Sequence, residues 1–73
     1  MEQIKQFFIN IERTDIDETM DNLVSDDVID SIDIMALVAE IEKHYGKALK
    51  AEFINAENFE NFASIKKMLE SAF

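Results

Sequence analysis

Apolar residues recur along the chain at intervals typical of α-helices, and no stretch shows the sustained alternation of a β-strand. The first apolar stripe has i, i+3, i+4, i+7 spacing and predicts a helix over about residues 2–12. Ile9 falls outside this stripe, and we expect it to face a loop. The stripe consists of Ile4, Phe7, Phe8 and Ile11.

A second stripe predicts the clearest helix, over about residues 31–45. Asp30 or Ser31 is expected to cap its N-terminus by accepting a hydrogen bond from an unpaired backbone N–H. Gly46, the only glycine, follows where a left-handed C-terminal cap is needed. The side chains expected to face the core are Ile34, Leu37, Val38, Ile41 and Tyr45.

The connection between these helices, residues 14–30, is long for so small a protein. It is polar and acidic but carries six apolar residues, which indicate that it is ordered and packed against the core. Three of them have helical spacing and allow a short turn. The six are Ile16, Met20, Leu23, Val24, Val28 and Ile29.

The C-terminal part contains weaker signals. Residues 47–53 resemble a linker, and residues 55–62 predict a short helix capped by Asn55 or Asn58. A last apolar stripe follows Ser64, which we expect to cap a final helix. The predicted fold is therefore all-α: a small four-helix bundle with a long first loop and a short third helix, in one domain of residues 1–73. The last stripe consists of Ile65, Met68, Leu69, Ala72 and Phe73.

The amino-acid composition excludes several kinds of site and partner. The 73 residues carry a net charge of −9, no cysteine and one histidine, which excludes disulfides and a Cys/His zinc site. A polyanion is repelled by nucleic acid and anionic membranes, so we expect neither as a partner. The longest apolar run has six residues, too few to span a bilayer. The start lacks the basic and apolar segments of a secretory signal, so a cytoplasmic location is expected.

The negative charge is concentrated in the first half of the chain. Residues 1–36 hold ten acids and two bases, and the stretch from Asp15 to Asp33 holds eight acids and no base. A solvated acidic loop is one explanation of this pattern. A docking surface for a partner with a basic patch is the other.

Two candidate sites carry little chemistry. The spacing Asp15-x-Asp17-x-Thr19 resembles the start of a calcium-binding loop, but Met20 and Asp26 stand where that loop needs glycine and glutamate. We therefore expect no specific calcium site. His44, near the end of the main helix, has no serine or cysteine partner in sequence reach and is expected to be structural.

Ser31 is the remaining candidate. It stands at the start of the strongest helix and the end of the acidic loop, where a plain N-cap is the simplest role. A helix N-terminus also provides free N–H groups and a positive dipole end that suit a phosphate ester. No nearby base would activate Ser31 as a nucleophile of its own. If Ser31 has a chemical role, it is as an acceptor modified by another enzyme.

The segment DSIDIMALVAEIEKHYG, residues 30–46, resembles the Asp-Ser-Leu segment and second helix of acyl carrier proteins. The length, acidity, helix order and long first loop also fit that family. Fatty-acid-synthesis carriers usually have a glycine-containing pair before Asp-Ser, where this chain has Val28-Ile29, and acids where Ala36 and Lys43 stand. The chain is more similar to D-alanyl carrier proteins and other dedicated stand-alone carriers.

The resemblance implies that a phosphopantetheinyl transferase moves 4′-phosphopantetheine from coenzyme A to Ser31, and that acyl or aminoacyl cargo is held on it as a thioester. Such a protein catalyses nothing and is expected to be a monomer. Its implied partners are the transferase, a loading ligase and downstream acyltransferases with basic docking patches. The residues expected near the docking face are Asp30, Ile32, Asp33 and Glu42.

Alternatives remain open from the sequence. Ile32 could instead cover the edge of the core. The whole chain could be an acidic helical interaction domain in which Ser31 is only an N-cap, or, more remotely, a calcium-responsive helical protein.

Overall fold

The computed structural model describes residues 2–73, which form three α-helices and two short 3-10 helices. The α-helices are α1 (Glu2–Asn10), α2 (Ser31–Tyr45) and α3 (Phe62–Ala72). No strand occurs in residues 2–73, so the predicted all-α class is confirmed. In the same part of the chain, no helix combines the length and apolar character needed to cross a membrane.

The predicted count of four helices is not reproduced. In place of a helix over residues 55–62, a 3-10 helix covers only Ala56–Phe59. Asn55 caps it as expected, since its side chain accepts a hydrogen bond from the Asn58 N–H at 3.0 Å. The predicted linker contains the other 3-10 helix, Ala51–Phe53. Segments this short form a single turn, because nucleating an α-helix fixes several residues for one hydrogen bond.

Both predicted ends of α2 are confirmed. The Asp30 side chain accepts a hydrogen bond from the Asp33 N–H at 3.0 Å, and the Asp33 side chain reaches back to the Asp30 N–H, which completes a capping box. Gly46 adopts a left-handed conformation with φ of 69° and donates its N–H to the Glu42 carbonyl at 2.8 Å.

The expectation that Tyr45 faces the core was wrong. Tyr45 is exposed, and its ring stacks on Phe73 with 4.2 Å between centroids. The position continues the apolar stripe, but it is the last residue of α2 and extends past the core. Of the other predicted core positions of α2, Ile34 is partly buried and packs against the core, and three are buried. These three are Leu37, Val38 and Ile41.

The predicted cap of the last helix was also wrong. Asn61, not Ser64, is the N-cap of α3, and its side chain accepts a hydrogen bond from the Ser64 N–H at 2.7 Å. The helix therefore starts at Phe62, one turn earlier than expected. Phe62 is buried and stacks on Phe8 of α1, with 5.3 Å between ring centroids.

The long loop is packed against the core, as predicted. Ile16, Leu23 and Ile29 are buried, and the other three apolar residues of the loop pack against the same core cluster. The Lys5 ammonium donates to the Ile16 carbonyl and thereby joins α1 to the loop. Two non-glycine residues, Glu12 and Asp27, turn the chain with φ of 66° and 55°.

Candidate functional site

Ser31 is the first residue of α2 and is exposed. The sequence left two candidates for the N-cap, and the structure assigns that role to Asp30. The Ser31 hydroxyl is therefore not needed to cap the helix. It stands in solvent at the junction of the acidic loop and α2, where a second enzyme has access to it.

The surroundings of Ser31 suit a phosphate ester. The first N–H groups of an α-helix have no partner within the helix, and they lie at the positive end of its dipole. In α2 the Asp30 carboxylate takes the N–H of Asp33, and the N–H groups of Ser31 and Ile32 precede it in the first turn. The residues present thus fit a phosphodiester on the serine oxygen.

Arg13 lies behind this helix start and was not singled out in the sequence. Its guanidinium donates to the Asp33 carboxylate at 2.7 Å and to the Val28 carbonyl at 2.7 Å. It also pairs with the more exposed Asp15 at 3.2 Å. No local sequence pattern indicates these contacts, because Arg13 and Asp33 are separated by 20 positions and the whole loop.

Arg13 and its acidic neighbours favour each other's charged forms. Hydrogen bonding with Asp15, together with the negative charges of Asp15, Asp33 and Asp30, raises the pKa of Arg13, while partial desolvation opposes this. The hydrogen bond from Arg13 is the main reason that the pKa of Asp15 is lowered. Arg13 is thus the positive centre of a group of acids at the start of α2.

Two exposed apolar side chains lie beside Ser31. Ile32 is 76% exposed and Met35, one helical turn further, is 54% exposed. Ile32 therefore does not cover the core edge, which was the alternative to a docking role. Met35 was missed in the sequence because it belongs to a continuous apolar run, in which the exposed members cannot be told from the buried ones by composition alone.

The predicted docking acids are held differently. Asp30 caps α2 and is exposed. Asp33 is bound to Arg13, and its side chain is only 24% exposed. Glu42 lies near the other end of α2 and accepts a hydrogen bond from the Leu49 N–H at 2.8 Å. The structure thus brings Asp30, Ile32 and Asp33 close to Ser31 and places Glu42 apart from them.

The other candidate residues have local roles. The ring of His44 packs edge-on against Phe7 and Tyr45, with centroids 5.5 and 4.9 Å apart. The Asp17 carboxylate accepts hydrogen bonds from the hydroxyl and N–H of Thr19, which lowers its pKa. Among residues 2–73, no group of three or more His, Cys, Asp or Glu side chains is placed to hold a metal ion.

An apolar surface groove lies away from Ser31. It has a volume of about 470 Å³ and is lined in part by Tyr45, Lys66 and Phe73. Tyr45 ends the helix that Ser31 begins, so the two residues are about 20 Å apart along α2. The groove is therefore separate from the serine site.

The protein is a small helical domain in which an exposed serine stands at the start of the second α-helix, after a long packed loop. The family model for the phosphopantetheine attachment site matches residues 3–70, and the chain belongs to this family. Domains of this family are non-catalytic and are the attachment site of a covalent 4′-phosphopantetheine group. Comparisons with curated proteins and with solved structures found no significant match.

Proposed function

We propose that Ser31 is the attachment residue and that the protein carries acyl or aminoacyl groups as thioesters on its 4′-phosphopantetheine arm. The observation that carries this proposal is that two adjacent residues at the start of α2 have separate roles. Asp30 caps the helix, so the exposed hydroxyl of Ser31 is available for modification. The family match extends across this segment.

The chain and its prosthetic group supply different chemistry. The group provides the thiol that holds the cargo, and the chain contains no cysteine that could compete for it. The start of α2 orients the serine oxygen and offers N–H groups and a positive dipole end to the phosphate. A carrier of this kind raises the effective concentration of its cargo at each enzyme that it visits.

Ile32 and the neighbouring charge of Asp30 and Asp33 form the proposed docking face, with Met35 as an additional apolar contact. Glu42 would contact partners only if their surface extended along α2. The expected partners are a phosphopantetheinyl transferase, a loading ligase and acyltransferases that present basic patches. Surface charge of this kind raises association rates and sets orientation, which suits brief encounters.

The pathway is proposed to be a specialised one, because Val28, Ala36 and Lys43 depart from the pattern of fatty-acid-synthesis carriers. A D-alanyl or similar stand-alone carrier fits these departures better. We further propose that residues 1–73 form one monomeric domain that works in the cytoplasm and binds no nucleic acid. Met1 lies outside the described residues.

Intact mass tests the attachment residue. The purified protein is incubated with coenzyme A and a promiscuous phosphopantetheinyl transferase. The wild type and the control Ser71→Ala, which removes an exposed serine of α3, should each gain one phosphopantetheine, and Ser31→Ala should gain none. No gain in the wild type would favour the unmodified interaction domain, and a gain in Ser31→Ala would place the attachment elsewhere.

The docking face is tested separately by kinetics. Ile32→Ala should raise the KM of the transferase for the protein without changing stability, since the side chain is 76% exposed. Ile9→Ala removes an exposed isoleucine from α1 and is the matched control. Equal KM values for the two variants would contradict a docking role for Ile32. Association should also slow with added salt, because exposed charges are screened.

A further inference from the structure

Arg13 connects the end of α1 to the start of α2. We propose that Arg13 is a positioning residue for the modification of Ser31: its guanidinium holds the first turn of α2 in the orientation in which the transferase reaches the serine oxygen. This inference rests on the proposed function, since it concerns the reaction at Ser31.

The contacts of Arg13 lie on both sides of Ser31. One short hydrogen bond reaches the Val28 carbonyl, three residues before the serine, and another reaches the Asp33 carboxylate, two residues after it. Both are 2.7 Å long. The segment that carries Ser31 is therefore fixed to one guanidinium at two points, before and after the reacting side chain.

The backbone of Arg13 is itself anchored to α1. Its N–H donates to the Phe8 carbonyl at 2.9 Å, and Phe8 is fully buried in the core. Hydrogen bonds of Arg13 thus link the start of α2 to the core, in addition to the covalent connection through the loop. The sequence of contacts runs from Phe8 to Arg13, and from there to Val28 and Asp33.

Partial burial strengthens the pair of Arg13 and Asp33. Both side chains are 24% exposed, whereas that of Asp15, the third partner, is 63% exposed. Water and salt screen the first pair less than the second. The Asp33 oxygen that binds Arg13 is also the one that faces the Asp30 N–H, at 3.3 Å. Arg13 therefore supports the capping box as well as the ion pair.

No neighbouring residue can replace Arg13. It is the only base between Lys5 and Lys43, in a stretch that contains nearly all the acids of the first half. A lysine at this position would keep the charge, but a single ammonium cannot reproduce the planar fork that serves a carboxylate and a carbonyl together. Loss of the side chain would leave Asp30 and Asp33 to repel each other across Ser31.

Orientation matters because the reaction is a displacement at phosphorus. The Ser31 oxygen bonds to the phosphorus that bears the pantetheine arm in coenzyme A, the pyrophosphate P–O bond breaks, and the nucleotide part leaves with that oxygen. The hydroxyl proton passes to a base of the transferase. Displacements of this kind are sensitive to small misplacements of the attacking atom.

The experiment compares kcat and KM of a promiscuous transferase on the wild type, Arg13→Ala and Arg13→Lys, with coenzyme A as donor. Arg13→Ala should lower kcat by about tenfold or more with a smaller change in KM, because orientation and not docking is impaired. Arg13→Lys should give an intermediate kcat, and it provides the test even if Arg13→Ala does not fold.

Two controls separate positioning from stability. Glu70→Gln neutralises an exposed acid of α3, outside the contacts of Arg13, and should leave kcat unchanged. Asn61→Ala removes the cap of α3, destabilises the fold at a distance and should also leave kcat unchanged. Exchange of the Asp33 and Ile34 amide hydrogens, which are hydrogen-bonded at the start of α2, should accelerate in Arg13→Ala and not in Asn61→Ala.

The outcomes are distinct. A folded Arg13→Ala with wild-type kcat, or an Asn61→Ala with an equal loss, would overturn the positioning role and leave the proposed function intact. A wild-type protein that is not modified at Ser31 would overturn the proposed function itself. In that case the exchange measurement would still report whether Arg13 orders the start of α2.

Discussion

The carboxylate of Glu60 accepts a hydrogen bond from the backbone N–H of Val24 at 2.9 Å, across 36 positions of the sequence. The same carboxylate accepts bonds from the N–H and the hydroxyl of Ser25, and the Glu60 carbonyl accepts one from the Leu23 N–H at 2.8 Å. One residue beside α3 thus holds the central turn of the long loop. The hydrogen bond from the Ser25 side chain is the main reason that the pKa of Glu60 is lowered.

This arrangement predicts an acid-sensitive loop. Because the pKa of Glu60 is lower in the folded state, the folded protein binds fewer protons than the unfolded chain at mildly acidic pH. The stabilisation is full above the unfolded pKa, about 4.3, and is lost as the pH falls through the folded value. Urea unfolding between pH 7 and about pH 3 should show a smaller loss of stability for Glu60→Gln than for the wild type.

The control for this measurement is Glu52→Gln, which neutralises an exposed acid in the same region of the chain. Its pH profile should follow that of the wild type more closely. If Glu60→Gln and Glu52→Gln have the same profile, the hydrogen bonds of Glu60 do not contribute to acid stability.

The two roles of Asp30, cap and docking charge, can be separated. Asp30→Asn keeps an oxygen that accepts the Asp33 N–H, so stability should change little, whereas Asp30→Ala should cost about 1 kcal/mol. If the charge of Asp30 guides partners, Asp30→Asn should raise the KM of the transferase and weaken its salt dependence. Thermal unfolding and transferase kinetics on the three proteins check both parts, and an unchanged KM would restrict Asp30 to the capping role.

Gly46 provides a test of the C-terminal cap of α2. Nothing lies within 4 Å of where a β-carbon would stand, so Gly46→Ala creates no clash. Its cost comes from the left-handed backbone, with φ of 69°, and should be about 1 kcal/mol by urea unfolding. Gly46→Asn should cost less, because asparagine tolerates this conformation better than alanine. The reverse order would show that backbone strain does not govern the position.

Alanine substitutions at the adjacent residues Phe8 and Ile9 should have very different effects on stability. Phe8 is fully buried and stacks on Phe62, so Phe8→Ala should cost about 3–5 kcal/mol. That range matches the whole stability expected of a domain this small, so the variant should be largely unfolded at 25 °C. Ile9→Ala, at a site that is 40% exposed, should change stability by about 0.5 kcal/mol or less. Circular dichroism distinguishes the two results.

Local sequence patterns were sufficient to predict the bounds of α2, the helix that begins with the candidate residue Ser31. The bounds of α2 follow from residues at its own ends, Asp30 and Gly46, because caps act within one turn. The same reasoning failed at α3, where Asn61 and Ser64 are both good caps by type. The buried Phe62 decides between them, since starting the helix at this residue lets its ring stack on Phe8.

The long-range contacts around the candidate site could not be predicted from local sequence patterns. Arg13 and Glu60 bind partners 20 and 36 positions away, and such contacts depend on how the loop packs. The exposed position of Ile32 and the buried position of Leu37 likewise depend on which face of α2 meets the core. The sequence singled out Ser31 as a candidate, and the tertiary structure adds the contacts of Arg13 to Val28 and Asp33 on either side of it.

The backbone at Glu12 and Asp27 has a consequence for the evolution of the chain. Both residues adopt a left-handed conformation that glycine reaches without strain, yet both keep an acidic side chain. The left-handed backbone thus costs some stability at Glu12, and less at Asp27, because aspartate tolerates this conformation better than glutamate. Replacing both residues with glycine would relieve this strain and raise the free energy of unfolding. The same substitutions would remove two acidic side chains from the surface.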